Sequence, residues 1–215
     1  MQYSYAIFDM DGTLVDSMGY WDETCSEFLA GLTIPDGDLF DKLKPMTLGQ
    51  TVEYLNETFH LNITEDIMKS KIFKLMMEHY KHDVKMKPGV TAFLNVLREN
   101  GVRMCVASSS PINMVETCLC RLGLDGYFEF LISAEEFGKG KTEPDIYCAA
   151  AKKLGAAPAQ TMVFEDALGA ALTAKKAGFP VTAIYDVNGE AEWETFRDMA
   201  DDVITDWNEA AGSLS

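Results

Sequence analysis

Short apolar runs alternate with longer stretches of helical spacing along most of the chain, and one long block near its start reads as helical throughout. Tyr5-Ala-Ile-Phe8 is an apolar run that ends in acids, the pattern of a buried strand with a functional carboxyl end. From Ser17 to about Val84 no convincing strand occurs. Ser17 can cap a helix through Ala30, Thr47 one through Phe59, and Thr64, followed by Glu65 and Asp66, a long one through Tyr80. After Lys87-Pro-Gly89 the pattern changes. Helix Val90–Glu99 precedes strand Arg103–Ala107, helix Pro111–Leu122 precedes strand Phe130–Ile132, and helix Pro144–Leu154 precedes strand Met162–Phe164. Helix Leu168–Ala177 then leads to strand Val181–Ile184, with a weaker strand at Val203-Ile204. Such alternation implies right-handed crossovers and a parallel sheet covered on both faces. The expected architecture is an α/β doubly wound core, residues 1–15 and 85–215, with an all-α domain, residues 16–84, inserted after the first strand.

Charge narrows the partners. Lys and Arg number 18 against 34 Asp and Glu, a net charge of −16, so the average field repels nucleic acid and anionic membrane surfaces. An anionic substrate therefore needs a local positive device, such as a metal ion or a single lysine. No apolar stretch is long enough to cross a bilayer, and Met1–Phe8 lacks the basic segment of a signal peptide, which points to the cytoplasm. The five cysteines, Cys25, Cys105, Cys118, Cys120 and Cys148, follow neither zinc nor disulfide spacing and are expected to be mostly buried, reduced thiols. None has Arg six positions later, so the thiolate-phosphatase loop is absent. His60, His79 and His82 read as surface or cap residues, because no third ligand accompanies the 79/82 pair.

Ligands of parallel sheets bind beyond the carboxyl ends of strands, and four such ends carry chemistry here. The first ends in Asp9-Met-Asp11-Gly12-Thr13, the second in Ala107-Ser108-Ser109-Ser110-Pro111, and a later one in Glu165-Asp166, while Lys141 precedes the helix opened by Pro144. A turn at Gly12 is expected to bring one side chain and one backbone carbonyl of the Asp9/Asp11 pair to a common point. The carboxylates fit a hard divalent cation, magnesium above all, and Lys141 can both balance them and hold a phosphate. Amides around Ser109 and Ser110, at a helix start with Pro in its first position, suit an anion. Each signal alone is modest. Asp36-Gly-Asp38 repeats the D-x-D pattern in a polar loop, and Glu165-Asp166 alone could be an acid pair favoured by a helix N-terminus. Gly140-Lys141-Thr142 imitates the end of a phosphate-binding loop, but the glycine required five positions before Gly140 is Glu135.

Taken in order, these motifs resemble the haloacid dehalogenase superfamily, and within it the phosphatases and β-phosphoglucomutase-like members with a helical cap after the first strand. Asp9-Met-Asp-Gly-Thr-Leu-Val-Asp-Ser17 matches the first motif, Ser108 the second, Lys141 in K-x-x-P-D the third, and Glu165-Asp166 the fourth. The resemblance covers essentially the whole chain and implies a Rossmann-like core. It also implies magnesium-dependent phosphoryl transfer through an aspartyl-phosphate, with Asp9 as nucleophile. Asp11 would offer its carbonyl to the metal and its carboxyl as general acid, then base; Asp166 would ligate the metal, and Glu165 would do so directly or through water. Ser108, Ser109 and Lys141 would hold the phosphoryl group.

The departures matter as well. Mutase relatives carry a histidine early in the first cap helix, where this chain has Trp21, and an arginine in the cap loop, absent from Lys44-Pro-Met-Thr-Leu-Gly49. Hydrolysis of a small phosphomonoester, of sugar, polyol or glycolate phosphate type, is therefore expected, by a monomer; mutase activity is the alternative. A phospho-accepting signalling domain shares the acidic pocket but places its aspartate on a later strand. Trp21 and Lys44 are the expected cap determinants of specificity, in a face and loop that close over the site.

Overall fold

The computed structural model describes residues 3–32, 39, 43, 46 and 48–214. The chain forms two compact units, Met1–Ser17 with Val84–Ser215, and Met18–Asp83.

The larger unit is built on a six-stranded sheet in which every neighbouring pair is parallel. Its strands are β1 (Tyr5–Phe8), β4 (Arg103–Ser108), β5 (Leu131–Ser133), β6 (Thr161–Glu165), β7 (Val181–Ile184) and β8 (Asp202–Ile204), in the order β5-β4-β1-β6-β7-β8. β2 (Val15–Asp16) and β3 (Lys85–Met86) form a separate antiparallel ribbon at the two ends of the inserted segment. Two-residue strands carry no usable periodicity, so the sequence pattern does not show them. The helices of this unit are α4 (Val90–Glu99), α5 (Ile112–Arg121), α6 (Asp145–Leu154), α7 (Leu168–Lys176), α8 (Trp193–Met199) and α9 (Trp207–Leu214).

Both faces of the sheet are buried, which is why its strands read as continuous apolar runs. On one face Ile7, Cys105, Ala107, Val163, Val181 and Ala183 pack with Tyr147, Ala150 and Leu154 of α6, Ala171 and Ala174 of α7, and Phe196 of α8. On the other face Phe8 stacks on Phe164 at 4.3 Å, and Trp207 of α9 and Phe93 of α4 close the aromatic cluster. The strand expected at Phe130–Ile132 lies one residue later, where Ser133 pairs with Ser108. Pro111 is the N-cap of α5 rather than its first residue. The expectation of mostly buried cysteines is corrected: all five are free thiols, but only Cys105 and Cys118 are buried. Cys120 follows Cys118 by two residues, which on a helix turns it to the opposite side, and Cys148 is turned in the same way from buried Ile146 and Ala150, each two residues away on α6.

The smaller unit contains α1 (Met18–Ala30), α2 (Leu48–Phe59) and α3 (Glu65–His82). Phe28, Leu29, Val52, Leu55, Met68 and Ile72 form its core. The Thr64 hydroxyl accepts from the Ile67 N–H at 3.2 Å, and Glu65 and Asp66 sit in the first turn, where the helix dipole favours acids. Thr47, the expected cap of α2, lies outside the described residues. Asn56 pins the α2–α3 turn by bonding both backbone groups of Ile63, at 2.8 and 2.9 Å. His79 pairs with Asp83 at 2.8 Å and His82 with Glu78 at 3.8 Å.

Candidate active site

Strand order reverses beside β1, which is flanked by β4 and β6, and ligands of doubly wound sheets bind beyond the carboxyl ends at such a point. β1 runs directly into Asp9, whose N–H donates to the Phe164 carbonyl at 2.9 Å and so extends the strand register by one residue. A tight turn follows. Gly12 has φ 74°, a conformation strained for any residue with a Cβ, and its N–H bonds the Val15 carbonyl at 2.9 Å while the Leu14 N–H bonds that of Met10. Residues two apart on a continuing strand would share a face, and the turn instead gives the two aspartates different partners. Asp9 is buried beside Lys141, which donates to Asp9 Oδ1 and, at 2.6 Å, to Glu165 Oε1. Asp11 is held elsewhere: its Oδ1 accepts from the Ser17 hydroxyl and its Oδ2 from the Ser110 hydroxyl, both at 2.7 Å.

Glu165 and Asp166 close β6. Glu165 is buried and also accepts from the Tyr147 hydroxyl at 2.7 Å, and Asp166 accepts from Thr13 at 3.3 Å. Among the described residues, Asp9, Glu165 and Asp166 form a group whose ligand atoms all lie within 4.8 Å of one another. Burial drives the Asp9 carboxyl well above its ordinary range; Lys141 opposes this, while Glu165, Asp166 and Asp11 add repulsion. Burial, then Glu165, pushes Asp166 up to about 7. Burial alone would lower the Lys141 ammonium, but Asp9 and Glu165 outweigh it and hold the group above its usual value. An all-oxygen donor set under like-charge crowding fits a hard divalent cation, whose charge relieves the crowding. The residues present therefore fit magnesium.

Ser108 is fully buried, and its Oγ accepts from the Ser110 N–H at 3.0 Å, while Ser109 is exposed at the strand end. The expectation that the Ser110 amide is free for an anion is thereby corrected: Ser108 takes it, because β4 ends in a turn tight enough for the hydroxyl to reach two residues on. A Ser108 hydroxyl that accepts in this way still has its own hydrogen to donate. Trp21 lies in α1, half-buried, with edge contacts to Phe73 at 6.1 Å and Tyr80 at 6.5 Å, and it packs against the small unit's core. Lys44 lies outside the described residues. Sequence reasoning assigned no site role to the side chains of Thr13, Ser17, Ser110 or Tyr147. Thr13 and Ser17 stand inside the motif that carries Asp9, yet nothing in their spacing shows which carboxylate each would reach.

An acidic group facing a buried lysine, at the reversal point of a doubly wound parallel sheet, belongs to a recurrent class of α/β enzymes. Residues 3–178 match the haloacid dehalogenase-like hydrolases, and the chain is a member of that family. It is 31% identical over 178 residues to YhcW of Bacillus subtilis (strain 168), covering 80% of this chain and 79% of that one. Hexitol phosphatase B of Escherichia coli (strain K12) is 29% identical over 178 residues, with the same coverage. CbbY of Rhodobacter sphaeroides, solved in complex with phosphate, superposes with a TM-score of 0.79 over 96% of both chains at 20% identity, a likeness of fold. No described helix is long and apolar enough to cross a membrane.

Proposed function

We propose that this protein is a magnesium-dependent phosphatase that hydrolyses a small phosphomonoester through an aspartyl-phosphate on Asp9. The observation that carries the reading is the carboxylate group Asp9, Glu165 and Asp166 with Lys141 bonded to two of its members in a buried pocket. A carboxylate beside a lysine and a cation site is a nucleophile placed where phosphoryl oxygens can be neutralised. Asp9 attacks phosphorus, the ester P–O bond breaks, and the departing alkoxide takes its proton from the Asp11 carboxyl. In the second half Asp11 takes a proton from water, whose oxygen attacks the acyl phosphate, and inorganic phosphate leaves. Lys141 turns from its two carboxylates towards the phosphoryl oxygens, and the Ser108 hydroxyl and Ser109 steady the same group. Asp9, Asp166, the Asp11 carbonyl and Glu165 would hold magnesium, which when bound supplies positive charge to the phosphoryl oxygens. Ser17 and Ser110 each donate to one oxygen of Asp11 and so fix the orientation of the carboxyl that exchanges the proton.

The substrate we infer is a phosphorylated sugar, polyol or glycolate, in line with the phosphatase name of a 29% identical relative. With a net charge of −16 the chain repels polyanions, so the reading has no place for nucleic acid or an acidic membrane, and it places a monomer in the cytoplasm. Phosphate release is measured across a set of such esters with and without magnesium, and the enzyme is quenched during turnover to trap a hydroxylamine-labile phosphoenzyme. Turnover that is metal-independent, or that leaves no label on Asp9, overturns the proposal.

A further inference from the structure

Both hydrogen bonds to the Glu165 carboxylate fall on the same oxygen. Lys141 Nζ lies 2.6 Å and the Tyr147 hydroxyl 2.7 Å from Oε1. All three side chains are buried, and Tyr147 sits on the inward face of α6 with its ring 6.1 Å from that of Phe179. The Lys141 ammonium is also 5.8 Å from the centre of the Tyr147 ring, within cation–π range. Building on the magnesium-phosphatase reading, we infer that Tyr147 is a positioning residue: with Lys141 it occupies Oε1 of Glu165 and leaves only Oε2 to serve the cation.

The consequence concerns which cation the site prefers. A carboxylate with two donors on one oxygen is a poor bidentate ligand. Magnesium, small and octahedral, loses little by this, whereas calcium takes more oxygens and readily binds a carboxylate by both. Tyr147 therefore disfavours calcium through Glu165 without touching the ion. It also steadies the carboxylate that holds Lys141 beside Asp9 in the substrate-free protein.

The test is calorimetric titration of magnesium and, separately, of calcium into substrate-free protein. Four proteins are compared: wild type, Tyr147→Phe, Glu165→Gln and the double variant; steady-state rates are measured on each. Phenylalanine keeps the ring and its packing and removes only the hydroxyl. Loss of a group that orients a metal ligand typically costs 10- to 100-fold in affinity or activity, so Tyr147→Phe is expected to lower kcat about tenfold with KM nearly unchanged. Its preference for calcium over magnesium rises about fivefold or more, because Oε1 is released. In the Glu165→Gln background the same substitution shifts the preference no further, since its effect runs through Glu165. A preference unchanged by Tyr147→Phe, or a shift that persists without the Glu165 carboxylate, overturns the inference. Should Tyr147→Phe not fold, a crystal structure of the magnesium-loaded wild type decides: Oε2 alone on the ion, directly or through a water, supports the inference, and Oε1 on the ion, or neither oxygen near it, refutes it. Metal-dependent turnover with an unchanged preference refutes Tyr147's role alone. Wild-type protein that binds neither ion removes the phosphatase reading, and this inference with it.

Discussion

Lys141 is the one cation bonded to the buried carboxylates Asp9 and Glu165 among the described residues, and its removal is the sharpest test of how the site is balanced. Substituting methionine keeps most of the volume and deletes the charge. At 2.6 Å and an effective dielectric of 20, the attraction between Lys141 and Glu165 is about 6 kcal/mol before desolvation. Part of that is recovered because a buried ammonium no longer has to be desolvated. Removing one partner of a buried ion pair nevertheless costs about 3–5 kcal/mol, since the other partner is left uncompensated. Here two carboxylates are left, so Lys141→Met should lie at the upper end of that range without metal. Magnesium should restore much of the loss, because the same carboxylates are the cation site, and should therefore stabilise the variant more than the wild type. Turnover should stay low even with magnesium, falling on the order of 10²- to 10³-fold as for loss of one donor to a developing oxyanion. Urea unfolding at pH 7, with chelator and with saturating magnesium, measures the first two quantities, and phosphate release the third. A variant within about 1 kcal/mol of wild type in chelator, or one that magnesium stabilises no more than wild type, would refute the balance of Lys141 against Asp9 and Glu165.

Four further outcomes are expected. Asp9→Asn should abolish turnover, by on the order of 10⁴-fold or more. It should keep its fold and resist urea at least as well as wild type without metal, because burial already disfavours the Asp9 charge; substantial residual activity in contaminant-free protein would contradict the nucleophile assignment. Activity should vanish in chelator and be suppressed when calcium replaces magnesium, as progress curves across metal-exchanged samples will show. Burial acts to raise Asp186, but Lys87 at 2.8 Å and the Asn188 side-chain and backbone donors hold it below the usual carboxylate range. Its stabilisation is thus complete above the unfolded value near 4 and lost as pH falls through the lowered native value. Asp186→Asn should accordingly cost about 1.5–3 kcal/mol at neutral pH and progressively less below pH 4, in urea titrations across pH. Trp21→Ala and Lys44→Ala are expected to change kcat/KM unequally among phosphate esters and to affect acetyl phosphate least; equal losses on every substrate would assign Trp21 to packing alone.

Local chemistry is what the amino-acid sequence determined by itself. Strands β1, β4, β6 and β7 and helices α4, α6 and α7 fall within a residue of where apolar runs and turn residues put them, because burial on both sheet faces and helix capping act over a few neighbours. The residue types of the candidate site were equally legible: a D-x-D-G-T segment after an apolar strand, an acid pair after another, and a lysine before a helix. Elements with weak local signals were not. The β2–β3 ribbon is two residues per strand, and α9 is ordered by Trp207 packing on Phe93 at 4.9 Å, a contact formed only once the sheet brings the aromatic cluster together. The partner of each polar group was decided by tertiary structure alone. Ser110 reaches Asp11 across 99 positions of chain, Thr13 reaches Asp166 across 153, and Lys141 meets Asp9 across 132. Spacing holds no information at such separations. Strand order sets β1 between β4 and β6, and that juxtaposition, with the backbone register across it, determines that Asp11 faces serines while Asp9 faces the lysine.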